Sequence, residues 1–305
     1  TGATTSPTAA WGTYVGGSTN ETFTAIAATP DKTKLAFAVH IDGGGTSFPS
    51  LVKPVDNIIT GSELLIGNFD VGAATTKFNM LSFLGGSSNE GKLSTGTNAA
   101  LVTADNNFFY VAGNTTSTDF PGKASGVQSV HGANPTMYDQ FLSQIPLLGS
   151  AGTGFISTYN GGDANDIVGG LVLDLRTKDV LLFGSTESTD FPILNTSLYS
   201  PFYQAIHGST TDGLLDISYT VFANGLTSRK FSSFIGGAQN DYLGSTGKLK
   251  GAGHFQYNPT NGLTYIGTTI HSDETTLPTQ WMSDIPGFDK SIPTATKTKD
   301  SHFIF

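Results

Sequence analysis

Ser82-Phe-Leu-Gly-Gly-Ser-Ser-Asn-Glu90 carries the reading of the fold, because its pattern occurs four times. The other copies are Thr13-Tyr-Val-Gly-Gly-Ser-Thr-Asn-Glu21, Thr158-Tyr-Asn-Gly-Gly-Asp-Ala-Asn-Asp166 and Ser233-Phe-Ile-Gly-Gly-Ala-Gln-Asn-Asp241. Their first glycines, Gly16, Gly85, Gly161 and Gly236, are separated by 69, 76 and 75 residues. Near-constant spacing marks a repeat architecture, in which units too thin to stand alone cover one another's apolar faces. The glycine pairs Gly16-Gly17, Gly85-Gly86, Gly161-Gly162 and Gly236-Gly237 read as structural turns, since glycine tolerates backbone angles closed to other residues. The Asn and acid that follow suit hydrogen bonds to free turn amides.

Each unit continues with an apolar strand, a polar turn, a second apolar strand, a Ser/Thr run and Pro. The second copy shows this as Ala100-Leu-Val-Thr103, a turn through Ala104-Asp-Asn-Asn107, Phe108-Phe-Tyr-Val-Ala-Gly113 and Ser117-Thr-Asp-Phe-Pro121. Short runs with β-branched and aromatic character, bounded by turn residues, predict strands. Two further strands complete the unit, through Leu64-Leu-Ile66, Phe141-Leu-Ser-Gln-Ile145, Leu214-Leu-Asp-Ile-Ser-Tyr219 and Phe303-Ile-Phe305. The expectation is an all-β, four-bladed β-propeller of four-stranded antiparallel blades. Its units span approximately 24–84, 99–160, 170–235 and 252–305 plus 10–15, the last blade being closed by the N-terminal strand. Residues 1–9 read as a linker or assembly tail and 10–305 as one domain. The competing reading is a fragment of a longer array.

The unit resembles the bacterial seven-bladed-propeller-type (SBBP) repeat. Thr13-Tyr-Val-Gly-Gly17, Tyr110-Val-Ala-Gly113, Ser117-Thr-Asp-Phe-Pro121, Ser188-Thr-Asp-Phe-Pro192 and Asp300-Ser-His-Phe-Ile-Phe305 carry the likeness. The resemblance implies an extracellular or cell-surface protein without fixed catalytic residues. Four units, each longer than usual, depart from the family pattern, so the blade count rests on this sequence alone.

Composition narrows the partners. The 305 residues include 15 Lys and Arg against 24 Asp and Glu, a net charge of −9, and no basic cluster. Phosphate backbones need several cations on one face, so nucleic acid is not an expected partner. Cysteine is absent, which removes disulfides, thiolate metal sites and thiol nucleophiles. No run of 18 apolar residues occurs, so membrane insertion by a helix is not expected. The opening residues have none of the charged and apolar regions of a signal peptide and read as a processed start or linker.

Candidate chemistry starts with the repeated acids. If four equivalent loops bring Glu21, Glu90, Asp166 and Asp241 to one face, with Asp163 beside Asp166, their oxygens suit a hard cation such as Ca²⁺. The alternative is that they hold the turns, with no cofactor. Gly86-Ser-Ser-Asn-Glu-Gly91-Lys92 approaches a phosphate loop, but Leu93 stands where Ser or Thr must bind Mg²⁺. His131 and His207 occupy equivalent positions and read as a repeat feature; His40, His254, His271 and His302 are scattered. Sequons for glycosylation occur at Asn20, Asn114 and Asn195. Trp281, Met282 and Phe288 form a candidate contact patch or a loop plug over the core. The functional expectation is a non-catalytic structural or adhesive surface module, a subunit of a filament, sheath or large adhesin, with protein neighbours. A glycan-binding module for surface glycans and a polysaccharide hydrolase or lyase are the alternatives.

Overall fold

The computed structural model describes residues 14–43, 46–72, 77–91, 100–148, 154–196, 203–207, 215–237, 241–242, 254–258, 263–270 and 301–304. Among them the chain is all-β, with one short 3₁₀ turn at Lys123–Ser125. Three regular antiparallel meanders follow one another. The first is β1 (Glu21–Ala28), β2 (Lys34–Ile41), β3 (Glu63–Asp70) and β4 (Phe78–Leu84). The second is β5 (Leu101–Ala104), β6 (Phe108–Thr115), β7 (Asp139–Pro146) and β8 (Ile156–Asn160). The third is β9 (Asp166–Leu173), β10 (Val180–Thr186), β11 (Asp216–Phe222) and β12 (Arg229–Ile235).

The hairpins between the first two strands of each sheet are closed by an aspartate. Asp31 Oδ1 accepts the amide of Thr33, Asp105 Oδ1 accepts those of Asn107 and Phe108, and Asp174 Oδ1 accepts that of Arg176. A short carboxylate that satisfies amides two or three residues on is the standard chemistry of such turns.

Alternation along the strands sends side chains to two faces, and the sheets stack through them. Ala36, Ala38, Leu64 and Ile66 of the first sheet meet Phe109, Val111, Phe141 and Ile145 of the second. Tyr110, Ala112 and Leu142 on the second sheet's other face meet Val168, Leu173, Leu182 and Phe222 of the third. The third sheet's far face holds Phe183 stacked on Tyr219, ring centroids 4.5 Å apart, with Phe231 edge-on to Tyr219. The leading strands run side by side: β1 against β5, and β5 against β9.

The fourth set of strands breaks the pattern. β13 (Asp241–Tyr242), β14 (His254–Asn258) and β16 (Ser301–Ile304) all pair with β15 (Leu263–Ile270). Gly267 is opposite both His254 and Ile304, and Ile270 opposite both Asp241 and Ser301, so β13 and β14 share one edge and β16 takes the other. This sheet is therefore three rows wide, and it packs on the third sheet through β13 and β14.

A closed four-bladed propeller, locked by an N-terminal strand, is thus corrected: among the described residues no sheet is closed. The described part of that segment, Tyr14 and Val15, forms no strand and does not pair with β16, while residues 10–13 lie outside the described residues. Tyr14 is fully exposed, and Val15 packs on the first sheet. The face of the first sheet that would meet a closing blade carries Phe37, Val39, Ile41, Leu65, Leu81 and Phe83. Phe48, Leu51, Val52 and Ile59 of that sheet's own loop already cover it. With its apolar surface buried locally, this face no longer needs a fourth sheet.

The stacked pair gives a stability test. Phe183→Ala is expected to cost about 3–5 kcal/mol in denaturant unfolding. Phe23→Ser, at a position more than half exposed, should stay within about 0.5 kcal/mol. Similar small effects at both positions would contradict the packing described.

Candidate functional site

The Gly-Gly turns at Gly85, Gly161 and Gly236 lead from one sheet toward the next and that at Gly16 leads into the first; Glu21, Asp166 and Asp241 open β1, β9 and β13, and Glu90 bridges Thr115 of β6. The acid folds back on its own turn. Glu21 Oε1 accepts the Gly17 amide at 3.0 Å, Asp166 Oδ2 that of Gly162 at 2.7 Å, and Asp241 Oδ2 that of Gly237 at 2.6 Å; Glu90 is likewise faced by the Gly86 amide.

The Ser-Thr-Asp-Phe-Pro run, after the second strand of the second and third sheets, forms the other half of the arrangement. Ser188 Oγ donates to Asp166 Oδ2 at 2.8 Å and accepts the Ala164 amide at 3.0 Å. Asp190 Oδ1 accepts the Asp163 amide at 2.9 Å, and Phe191 is buried against Phe234. One junction earlier the same roles fall to Ser117, which donates to Glu90 and accepts from Ser88, to Asp119, which accepts from Ser87, and to Phe120. Thr115 Oγ1 adds a donor to Glu90 at 2.7 Å. The amide bond from Ser87 holds the Asp119 carboxyl below the usual range.

A third group completes each junction. Glu63, Asp139 and Asp216 open the third strands β3, β7 and β11, and each lies against the first glycine of the turn that ends its own sheet. A Cβ on Gly161 would stand 2.5 Å from Asp139 Oδ1 and 2.8 Å from Asp166 Oδ2. One on Gly85 would stand 2.6 Å from both Glu63 Cγ and Glu90 Oε2. Glycine is required here because two carboxyls occupy the space a side chain would need. Residues Glu63, Glu90, Asp139, Asp166, Asp216 and Asp241 are all fully buried. Burial pushes Glu63 and Asp139 up to about 7 and Glu90 up to about 8, and it raises Asp166 well above the carboxylate range with help from Asp139.

The sequence candidates are thus distributed one per turn, each acid on its own Gly-Gly amide. Among the described residues no three His, Asp or Glu side chains are arranged to hold a metal. Glu21 is only half-buried: its strand partner is Ile41, where Asp166 has Thr186 opposite and Glu90 has Thr115. Asp163 lies in the turn, where its Oδ1 accepts the Ala133 amide. Asn20 and Asn195 are exposed, but Asn114 is buried and its Oδ1 accepts the Val168 amide at 2.7 Å, a position with no room for a glycan. Trp281, Met282 and Phe288 lie outside the described residues.

Sequence reasoning overlooked Glu63, Asp139 and Asp216. A signal was present: they precede the first glycine of their turn by 22, 22 and 20 residues. His131 and His207, seen only as repeat features, stand 3.9 Å from Asp139 and Asp216 and pack edge-on to Tyr159 and Phe234. Among the described residues no helix is long and apolar enough to cross a membrane. Comparison with models of known protein families gives no match, and comparison with curated proteins gives no significant relative.

Gly161→Ala should cost about 1–3 kcal/mol, because both carboxyls must move to admit a methyl group. Ser188→Ala should cost about 1–3 kcal/mol by stripping a donor from buried Asp166. Denaturant unfolding measures both, and wild-type midpoints in both variants would contradict the arrangement.

Proposed function

We propose that the chain is a non-catalytic structural module of an extracellular or cell-surface assembly, with other proteins as its neighbours. One observation carries the reading: the repeated acids Glu90, Asp166 and Asp241 are buried at the seams, where each accepts from backbone amides or hydroxyls. A general acid or metal ligand must reach its substrate or ion, and these groups face the protein's own turns. A buried carboxyl that organises a turn serves cohesion.

The likeness of the repeat to SBBP-type sequences supports the extracellular part of the proposal. So does the composition, rich in Gly, Ser and Thr and low in charge, with 13% charged residues. The exposed aliphatics Ile58, Val130 and Ile206 lie in the loops that precede the third strands, where a neighbouring subunit would find an apolar foothold in each sheet.

Immunogold labelling of intact cells, with electron microscopy of the native particle, tests the proposal. Labelling on the outer surface and regular polymers or arrays are expected. Isolated monomers inside the cell, with defined turnover on a polysaccharide, would overturn it.

A further inference from the structure

At two junctions the four acids share one arrangement. Each gives one oxygen to donors and leaves the other bare. Glu63 Oε1 takes the Thr60 amide at 2.6 Å, and Glu90 Oε1 takes the Thr115 and Ser117 hydroxyls. Asp139 Oδ2 takes the Gly132 amide at 3.0 Å, and Asp166 Oδ2 takes Gly162 and Ser188. The remaining oxygens, Glu63 Oε2, Glu90 Oε2, Asp139 Oδ1 and Asp166 Oδ1, are buried without a hydrogen-bond partner. Within each pair one acid belongs to the sheet that ends at the glycines and the other to the sheet that follows.

Two buried carboxylates facing across one glycine cannot both stay ionised without large cost. A Lys or Arg would solve the problem, but among the described residues none pairs with these four acids, and His131 Nε2 stands 3.9 Å from Asp139 Oδ1. The other groups facing the first pair are Asp56, the hydroxyls of Thr60, Thr115 and Ser117, Tyr159 and the ring of His40, whose Nε2 meets the Glu90 carbonyl. Those facing the second pair are Asp163, Asp190, Tyr159, the hydroxyls of Thr186 and Ser188, and His131, whose two ring nitrogens meet the Gly132 and Thr115 carbonyls. The additional carboxylates and carbonyls add negative potential. A hard cation takes six or more oxygens, and among the described residues no three Asp, Glu or His side chains are arranged to hold one. A proton needs only one donor oxygen and one acceptor.

We propose that the carboxyl pairs Glu63–Glu90 and Asp139–Asp166 are proton-operated clasps, each holding a proton while adjacent sheets are docked and loosening the junction when it is lost. The device stands apart from the surface role proposed above, since it concerns cohesion within one chain. Burial supports it by raising all four acids, to about 7 or above where a value is defined.

The direction of the pH effect follows from proton binding. Between the unfolded value near 4 and the raised folded values, the folded chain binds more protons than the unfolded one. Stability from these groups is fully present at the acidic end of that window and is lost as pH rises through about 8.

The full chain is unfolded thermally from pH 5 to 9, as wild type and as Glu90→Gln and Asp166→Asn, isosteres that keep a donor without a charge. The wild-type melting temperature should fall by about 5 °C or more across that range. Each variant that folds should show a smaller fall. The wild type should also show the infrared carbonyl stretch of buried protonated carboxyls at pH 6, fading by pH 9, which needs no variant to fold. A melting temperature that is flat or rises with pH, or absence of that band, would overturn the proposal. So would Ca²⁺ at pH 8 restoring the loss, because a cation would then be closing the pairs.

Discussion

The structure depends on how a buried carboxyl is satisfied at the seam between two sheets. Each sheet ends in two glycines, whose bared amides would be costly inside the molecule. The first acid of the next sheet returns to one of them, and the Ser and Asp of that sheet's Ser-Thr-Asp-Phe run take the next two. At the Gly161-Gly162 seam, and in the same way for Ser87 and Ser88 one seam earlier, the amides are thus paired by side chains from the following unit, so these two turns are incomplete without their successors. The apolar clusters between sheets add most of the non-directional stability, but they do not fix how one sheet is set against the next. Hydrogen bonds with required donors and acceptors fix that setting.

This arrangement explains why the motif is spaced as it is. The acid follows the second glycine by four residues in every copy, which is the length of one turn closed on its own amide. The Ser of the next loop meets the same acid because the first two strands form a hairpin whose far end returns beside its start, Asp166 opposite Thr186. Phe120 and Phe191 anchor that loop in the core, with Phe120 4.4 Å from Phe141 between ring centroids. At the first turn the design is thinner: Thr46 and Phe48 receive Gly17 and Ser18, among the described residues no hydroxyl is seen on Glu21, and the acid is only half-buried.

The all-β class was legible in the runs of Val, Ile, Phe and Tyr between turn residues, and the Gly-Gly-acid turns in their repetition. Ring closure was not legible. Tyr14-Val15 has the same pattern as Phe83-Leu84, yet only the latter joins a strand. What separates them is tertiary: the loop through Phe48, Leu51 and Val52 covers the first sheet's free face, and local pattern cannot report such cover. Equal spacing in sequence places the equivalent acids at successive turns, each on its own Gly-Gly amide. The partners Asp139 and Glu63 were hidden because an acid opening a strand looks like a solvent-facing end until the neighbouring turn is in place.

Hydrogen exchange at the Gly162, Asp163 and Ala164 amides tests the central claim most directly. These amides lie in a turn, partly at the surface, where free backbone exchanges quickly. If Asp166, Asp190 and Ser188 hold them as described, they will exchange as slowly as the strands on either side. Exchange as fast as that of unprotected backbone would contradict the account.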